Sequence, residues 1–180
     1  MVNQKDETPF AVKKAFFEFL GPYLLSPEDM ERFRPFASLG LIDIPSLFEE
    51  VLAHLSNGAF TRTPETGYDF SDFSEAKTAS SRFRKNNISK GNWLHSATIN
   101  NITVKKGLIR AMVYDTYNCK FYFFAIPNEC YSKVKTIDIN FETFSGKYTE
   151  PKLSTDDSKM RKSKWAQFLV NSIEELAKHF

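Results

Sequence analysis

The sequence predicts an α/β fold: a helical N-terminal part, then a mixed sheet, then a closing helix. Three observations predict it. Apolar residues between positions 9 and 55 recur at helical spacing behind clear start signals. Residues 108–114 and 120–126 are rich in β-branched and aromatic side chains, as strands are. Trp165, Phe168, Leu169, Ile173 and Leu176 then return to helical spacing.

The elements follow in order. Pro9 suits a first helical turn, and Phe10, Val12, Ala15, Phe16, Phe19 and Leu20 form one stripe until Gly21-Pro22 breaks it. Ser26-Pro27-Glu28-Asp29 combines a cap, a first-turn proline and acids at the positive end of the dipole. That helix ends near Leu39-Gly40. Pro45-Ser46 starts a third, with Phe48, Val51, Leu52 and Leu55 as its buried stripe and Asn57-Gly58 closing it. Residues 59–66 read as a loop. Residues 98–104 alternate loosely as a strand. Thr116-Tyr117-Asn118 suits the turn between the two strong strands, and residues 121–126 are apolar enough for a strand covered on both faces. Residues 136–141 alternate as a further strand, 145–157 read as loop, and Ser158 or Ser163 starts the closing helix. The expected organisation is one domain, with helices over residues 1–58, a sheet core over residues 59–144 and a C-terminal helix over residues 158–180.

Composition narrows the function classes. Of 180 residues, 42% are hydrophobic and 26% charged, ordinary for a globular chain, and Phe occurs 18 times. No apolar run is long enough for a membrane helix, and the first residues lack the form of a signal peptide, so a cytoplasmic protein is expected. Cys119 and Cys130 have no metal-type spacing with His54, His95 or His179, and are expected to be buried thiols. The net charge of +2 hides a strong asymmetry. Residues 1–76 hold six Lys/Arg and thirteen Asp/Glu, residues 77–114 hold eight and none, and the remainder ten and nine. A block of that kind calls for a polyanionic partner.

The basic block begins inside the most informative stretch, Asp69-Phe70-Ser71-Asp72-Phe73-Ser74-Glu75-Ala76-Lys77-Thr78. Read as a hairpin with a Ser71-Asp72-Phe73 loop, it sets Asp69 opposite Glu75, with their Cβ atoms roughly 5 Å apart. Carboxylates so close repel unless a cation joins them, and oxygen ligands suit Mg²⁺. Lys77 lies on the same strand face as Glu75, while Ala76 points the other way.

Asp69-Phe70 and Glu75-Ala76-Lys77-Thr78 resemble the active-site hairpin of the PD-(D/E)xK nuclease superfamily, most closely its mismatch-repair nicking branch and related restriction enzymes. Tyr68 stands where that family often has Pro, and no Gly turns the hairpin. Either Asp69 or Asp72 can be the motif aspartate. The resemblance implies a restriction-endonuclease-like fold with a central mixed sheet flanked by helices. It implies that Asp69 and Glu75 bind Mg²⁺, that the Ala76 carbonyl adds a ligand, and that Lys77 positions the attacking water. Mn²⁺ is expected to substitute. The family also carries a helical Glu shortly before the aspartate. Leu47-Phe48-Glu49 matches that place, although Glu49 and Glu50 also suit a water-facing helix surface.

Beyond the motif, Arg82, Arg84, Lys85, Asn86, Asn87 and Lys90 form a polar, basic segment fit for phosphates and base edges. The expected function is therefore a Mg²⁺-dependent DNA endonuclease, a type II restriction enzyme or phage nuclease, acting on double-stranded DNA as a homodimer. Two alternatives stay open. One is a non-catalytic nucleic-acid-binding protein using the 77–114 block, and the other a protein-interaction module.

Overall fold

A computed structural model describes residues 8–64, 67–87, 92–103, 106–131, 135–144, 147–155 and 168–179. It is an α/β arrangement of three layers. Helices cover one face of a mixed four-stranded sheet, and an antiparallel four-stranded sheet covers the other.

The helical region forms where the local signals lie. Helix α1 is Pro9–Leu20, capped by the Thr8 side chain, and it runs into a 3-10 turn at Gly21–Tyr23. Helix α2 is Pro27–Ser38, its Ser26 hydroxyl accepting the Asp29 N–H at 3.1 Å. Helix α3 is Ile44–Leu55. It starts earlier than Pro45-Ser46 suggests, because Asp43 supplies the cap.

The first sheet contains β1 (Glu75–Ser80), β4 (Leu108–Asp115), β5 (Lys120–Pro127) and β8 (Leu169–Val170), in the order β1-β4-β5-β8. β1 runs parallel to β4, and the remaining pairs are antiparallel. The second sheet contains β2 (Arg82–Asn87), β3 (Asn92–Ile99), β6 (Ile137–Phe144) and β7 (Lys147–Thr155), all antiparallel. Alternation along β4 and β5 divides the core. Met112, Tyr114, Phe123 and Ala125 meet Phe16, Phe17, Phe48 and Leu52 of the helices. Ile109, Ala111, Val113, Phe124 and Ile126 meet Ala97, Ile99, Ile137 and Ile139 of the second sheet. The chain leaves one sheet for the other at buried Ser81, whose N–H donates to the Tyr114 carbonyl at 2.9 Å.

Several expectations change. The strand expected at 98–104 sits earlier, in β3, and Arg82 to Asn87 of the basic segment form strand β2. The region read as loop at 145–157 holds β7, where Pro151 is tolerated because β7 is an edge strand. A one-turn helix α4 (Asn128–Tyr131) follows β5, and among the described residues the C-terminal helix is α5 (Ile173–Ala177), with Leu169 and Val170 pairing with β5 instead. Ser172 and Glu175 form a local helix start there, with the Ser172 hydroxyl accepting the Glu175 N–H at 3.1 Å. Ser158, Ser163 and Trp165 lie outside the described residues. Neither Cys119 nor Cys130 is in a disulfide, but Cys119 is exposed on the β4–β5 turn and Cys130 only half-buried, so neither is the buried thiol expected. Among the described residues, no helix is long and apolar enough to cross a membrane.

Candidate active site

The motif residues meet at the head of β1. A tight turn precedes the strand: the Phe73 N–H donates to the Phe70 carbonyl at 2.9 Å, and Phe73 has a positive φ of 64°. The Ser74 carbonyl then accepts two backbone N–H groups, from Asp69 at 3.0 Å and Phe70 at 3.2 Å. Asp69 is therefore not a cross-strand partner of Glu75, as a simple hairpin requires. The segment around Asp69 pairs backwards instead, through an Arg62–Phe70 bridge with Thr63 N–H on the Asp69 carbonyl at 2.9 Å. The paired strand of Glu75 is β4, in the register Glu75 to Ile109.

Asp69 still reaches the motif strand. Its Oδ2 accepts the Ala76 N–H at 2.8 Å. β1 is an edge strand, and the N–H and C=O of one strand residue leave on the same side. The Ala76 carbonyl thus faces the same edge as the Asp69 carboxylate. Glu49 comes from α3 to this place. Burial pushes its pKa up first, and the charge of Asp69 pushes it further, while Arg62 pulls it down. Arg62 pairs with Glu49 at 2.7 Å and with exposed Glu50 at 2.5 Å. Of the two glutamates, only Glu49 is turned inward, with a side chain 17% exposed against 54% for Glu50.

Glu75 and Lys77 share the opposite face of β1, toward the second sheet. Glu75 is buried, and its Oε1 lies 2.5 Å from the Lys77 ammonium. The hydroxyl of Tyr131 is pushed up to about 12, by burial first and then by the Glu75 charge. That hydroxyl donates to the Gly107 carbonyl at 2.7 Å. Asp69 thus meets the strand at its free edge, beside the Ala76 carbonyl and with Glu49 approaching from the helices, while Glu75 and Lys77 stand on the other face of β1. The donor chemistry is that of a hard divalent cation. Among the described residues, however, no group of three or more His, Cys, Asp or Glu stands close enough together to enclose an ion. Each glutamate is paired with a cation, Glu75 with Lys77 and Glu49 with Arg62, which Glu50 shares.

The chain matches no family model, no curated protein and no solved structure.

Asp72 has a different job. Its Oδ1 accepts the Ser74 N–H at 3.1 Å and the Ser74 hydroxyl, and its Oδ2 lies 2.9 Å from Arg110. Arg110 itself is fully buried beneath the Phe60 ring, its guanidinium carbon 4.1 Å from the ring centroid. It donates to the Ser74 hydroxyl, to the Leu176 carbonyl at 3.3 Å and to the His179 carbonyl at 2.8 Å. Read from sequence, Arg110 is one cation of the basic block. In the fold it is the post that ties the motif turn to the end of α5, and it offers nothing to a solvent-borne polyanion. The signal that distinguishes it is its place in the middle of an otherwise apolar run, residues 108–113 of β4.

The proposed DNA-contacting residues divide. Arg82 is exposed at the start of β2. Arg84, Lys85, Asn86 and Asn87 also lie in β2, and Lys90 lies outside the described residues.

Behind the motif turn sits Gly107, with a φ of +81°. A Cβ there would meet the Phe73 carbonyl oxygen at 2.4 Å and its carbon at 2.7 Å, both backbone atoms. Gly107→Ala is therefore expected to displace the turn and destabilise the protein by about 1–3 kcal/mol. Thermal melting of the two proteins checks this.

Proposed function

We propose that this protein is a Mg²⁺-dependent DNA endonuclease with a restriction-endonuclease-like core, cutting phosphodiester bonds at the head of β1. The observation that carries the reading is the bond from the Ala76 N–H to Asp69 Oδ2, with Glu75 and Lys77 flanking it on the strand and Glu49 within electrostatic reach. Asp69, Glu75 and the Ala76 carbonyl would hold the ion, with Glu49 as a further ligand. Bound Mg²⁺ would polarise the scissile phosphate and acidify a water.

The side chains supply the rest. Glu75 fixes the Lys77 ammonium at the strand end, where it can orient an attacking water or offset charge on the phosphate. Glu75 is buried and Lys77 half-buried, so the pair is less screened than one at the surface. Double-stranded DNA is the substrate this reading takes, and a pair of copies would cut both strands. A cytoplasmic location accords with such a substrate.

The pairs Glu75–Lys77 and Glu49–Arg62 favour one other reading, a DNA-binding protein whose carboxylates are structural. Plasmid DNA incubated with the protein in Mg²⁺, in Mn²⁺ and in EDTA separates the two. The nuclease reading expects metal-dependent nicking or linearisation, and a loss of roughly a hundredfold or more in Lys77→Ala with DNA binding retained. Salt-sensitive binding without any cutting would leave only the binding protein.

A further inference from the structure

We propose that a polar cavity where β1 turns into β2 is a second phosphate subsite, holding a backbone phosphate of duplex DNA one or two nucleotides from the scissile one. The proposal rests on the nuclease reading for its substrate, and on separate residues for its argument.

The cavity measures about 210 Å³ and is lined by Ala79, Ser80, Arg82, Ser96, Thr98 and Asn100. That lining offers hydroxyls, an amide and a guanidinium, the groups that donate hydrogen bonds to phosphate oxygens, and no carboxylate. Thr98 gives its hydroxyl proton to Asp138 Oδ1 at 2.6 Å, so the donors for an anion are the Ser80 and Ser96 hydroxyls, the Asn100 amide and the Arg82 guanidinium. From Lys77 to Tyr114 the chain carries no acidic residue at all. An anion entering this cavity therefore meets a cation and dipoles, with one carboxylate behind Thr98.

Position matters as much as composition. Glu75, Lys77 and Ala79 share one face of β1, and residues two apart on a strand are separated by about 6.6 Å. The cavity thus begins one pleat beyond Lys77. Each DNA strand carries a phosphate for every 3.4 Å or so of helix axis, so a backbone running along β1 would offer the cavity a phosphate one or two steps from the one beside Lys77. Arg82 is aimed by the fold rather than left on a loose loop. It pairs with Ser96 across β2 and β3, and it directly follows Ser81, whose Oγ accepts the Thr116 N–H at 2.9 Å. A guanidinium on a pinned strand corner gives a directed, bidentate phosphate contact.

The test uses the full chain and fluorescent duplexes, in Ca²⁺ and in EDTA, over about 50–200 mM salt. Single neutral methylphosphonate linkages are scanned along the strand. Wild-type protein is expected to lose affinity at one linkage within two steps of the cleavage position. Arg82→Ala should be blind to that linkage and show a salt slope smaller by about 1. Its KM should rise several-fold with kcat little changed. Because Arg82 is exposed, folding should survive, and a melt confirms it. Ser96→Ala gives a second, milder test of the same linkage. An unchanged salt slope and an unchanged scan in Arg82→Ala would overturn the subsite, as would a wild-type protein that does not bind DNA. Binding with the Arg82-dependent contact but no cutting in Mg²⁺ or Mn²⁺ would overturn the nuclease reading alone.

Discussion

Arg110→Ala is expected to cost about 3–5 kcal/mol of stability, the range for breaking a buried ion pair by removing one partner. The guanidinium has no exposure, and the groups that it satisfies lose a donor, which water cannot replace cheaply at the buried Ser74 and Leu176. Those groups are the Asp72 carboxylate, the Ser74 hydroxyl and the carbonyls of Leu176 and His179. The ring of Phe60 loses its stacked cation as well. At 180 residues, a loss of this size should lower the melting temperature by roughly 10 °C or more. Arg110→Met keeps most of the volume but none of the donors, so it should lie close to Arg110→Ala if the hydrogen bonds dominate. The pair should also show in acid. Burial pushes the Asp72 pKa up, but hydrogen bonds from Ser74 and Arg110 outweigh it and hold the carboxyl below its ordinary value. The stability so gained is fully present above the ordinary aspartate pKa of about 3.9, and is lost as pH falls through the lower folded value. Melts between neutral pH and the acid range measure both effects.

What could be read in the sequence was local, and what could not was set by distant partners. Ser26-Pro27-Glu28-Asp29 starts a helix wherever it stands, because its cap bonds close within three residues. The strands 108–115 and 120–127 were legible because a tight turn joins them and both faces are apolar. Strand β1 was legible as a strand, but its parallel partner lies beyond β2 and β3 in the chain, and no local pattern names it. Leu169 and Val170 fit a helical stripe as well as a strand, and the neighbouring edge of β5 decides between them. Arg110 illustrates the same limit for charge: in a row of eight cations it looks solvated, and only the ring of Phe60 and the turn at Asp72 bury it. The candidate site divides in the same way. Glu75-Ala76-Lys77 could be recognised by strand alternation alone, whereas the choice between Asp69 and Asp72 depends on which one meets Arg110.

That choice yields the second large effect. Asp69→Asn is expected to reduce metal-dependent cleavage by about a thousandfold or more while leaving the fold intact. The amide oxygen can still accept the Ala76 N–H, so the backbone contact at 2.8 Å survives. What disappears is the charge, and with it both the attraction for a divalent ion and the repulsion that raises the Glu49 pKa. Stability should therefore stay the same or rise slightly. Asp69→Ala should match it in activity and lose about 1 kcal/mol more, the usual worth of one hydrogen bond. Asp72→Ala should behave in the opposite way. It leaves the buried Arg110 without its carboxylate and Ser74 without its cap, so the melting temperature should drop, while cleavage measured well below that temperature persists. Plasmid cleavage in Mg²⁺ set beside thermal melts of these variants reads the two quantities independently. If Asp72→Ala lost cleavage without losing stability, and Asp69→Asn cut DNA normally, the carboxylate on the Ala76 amide would be a strand cap and nothing more, and the site would have to be rebuilt around the turn.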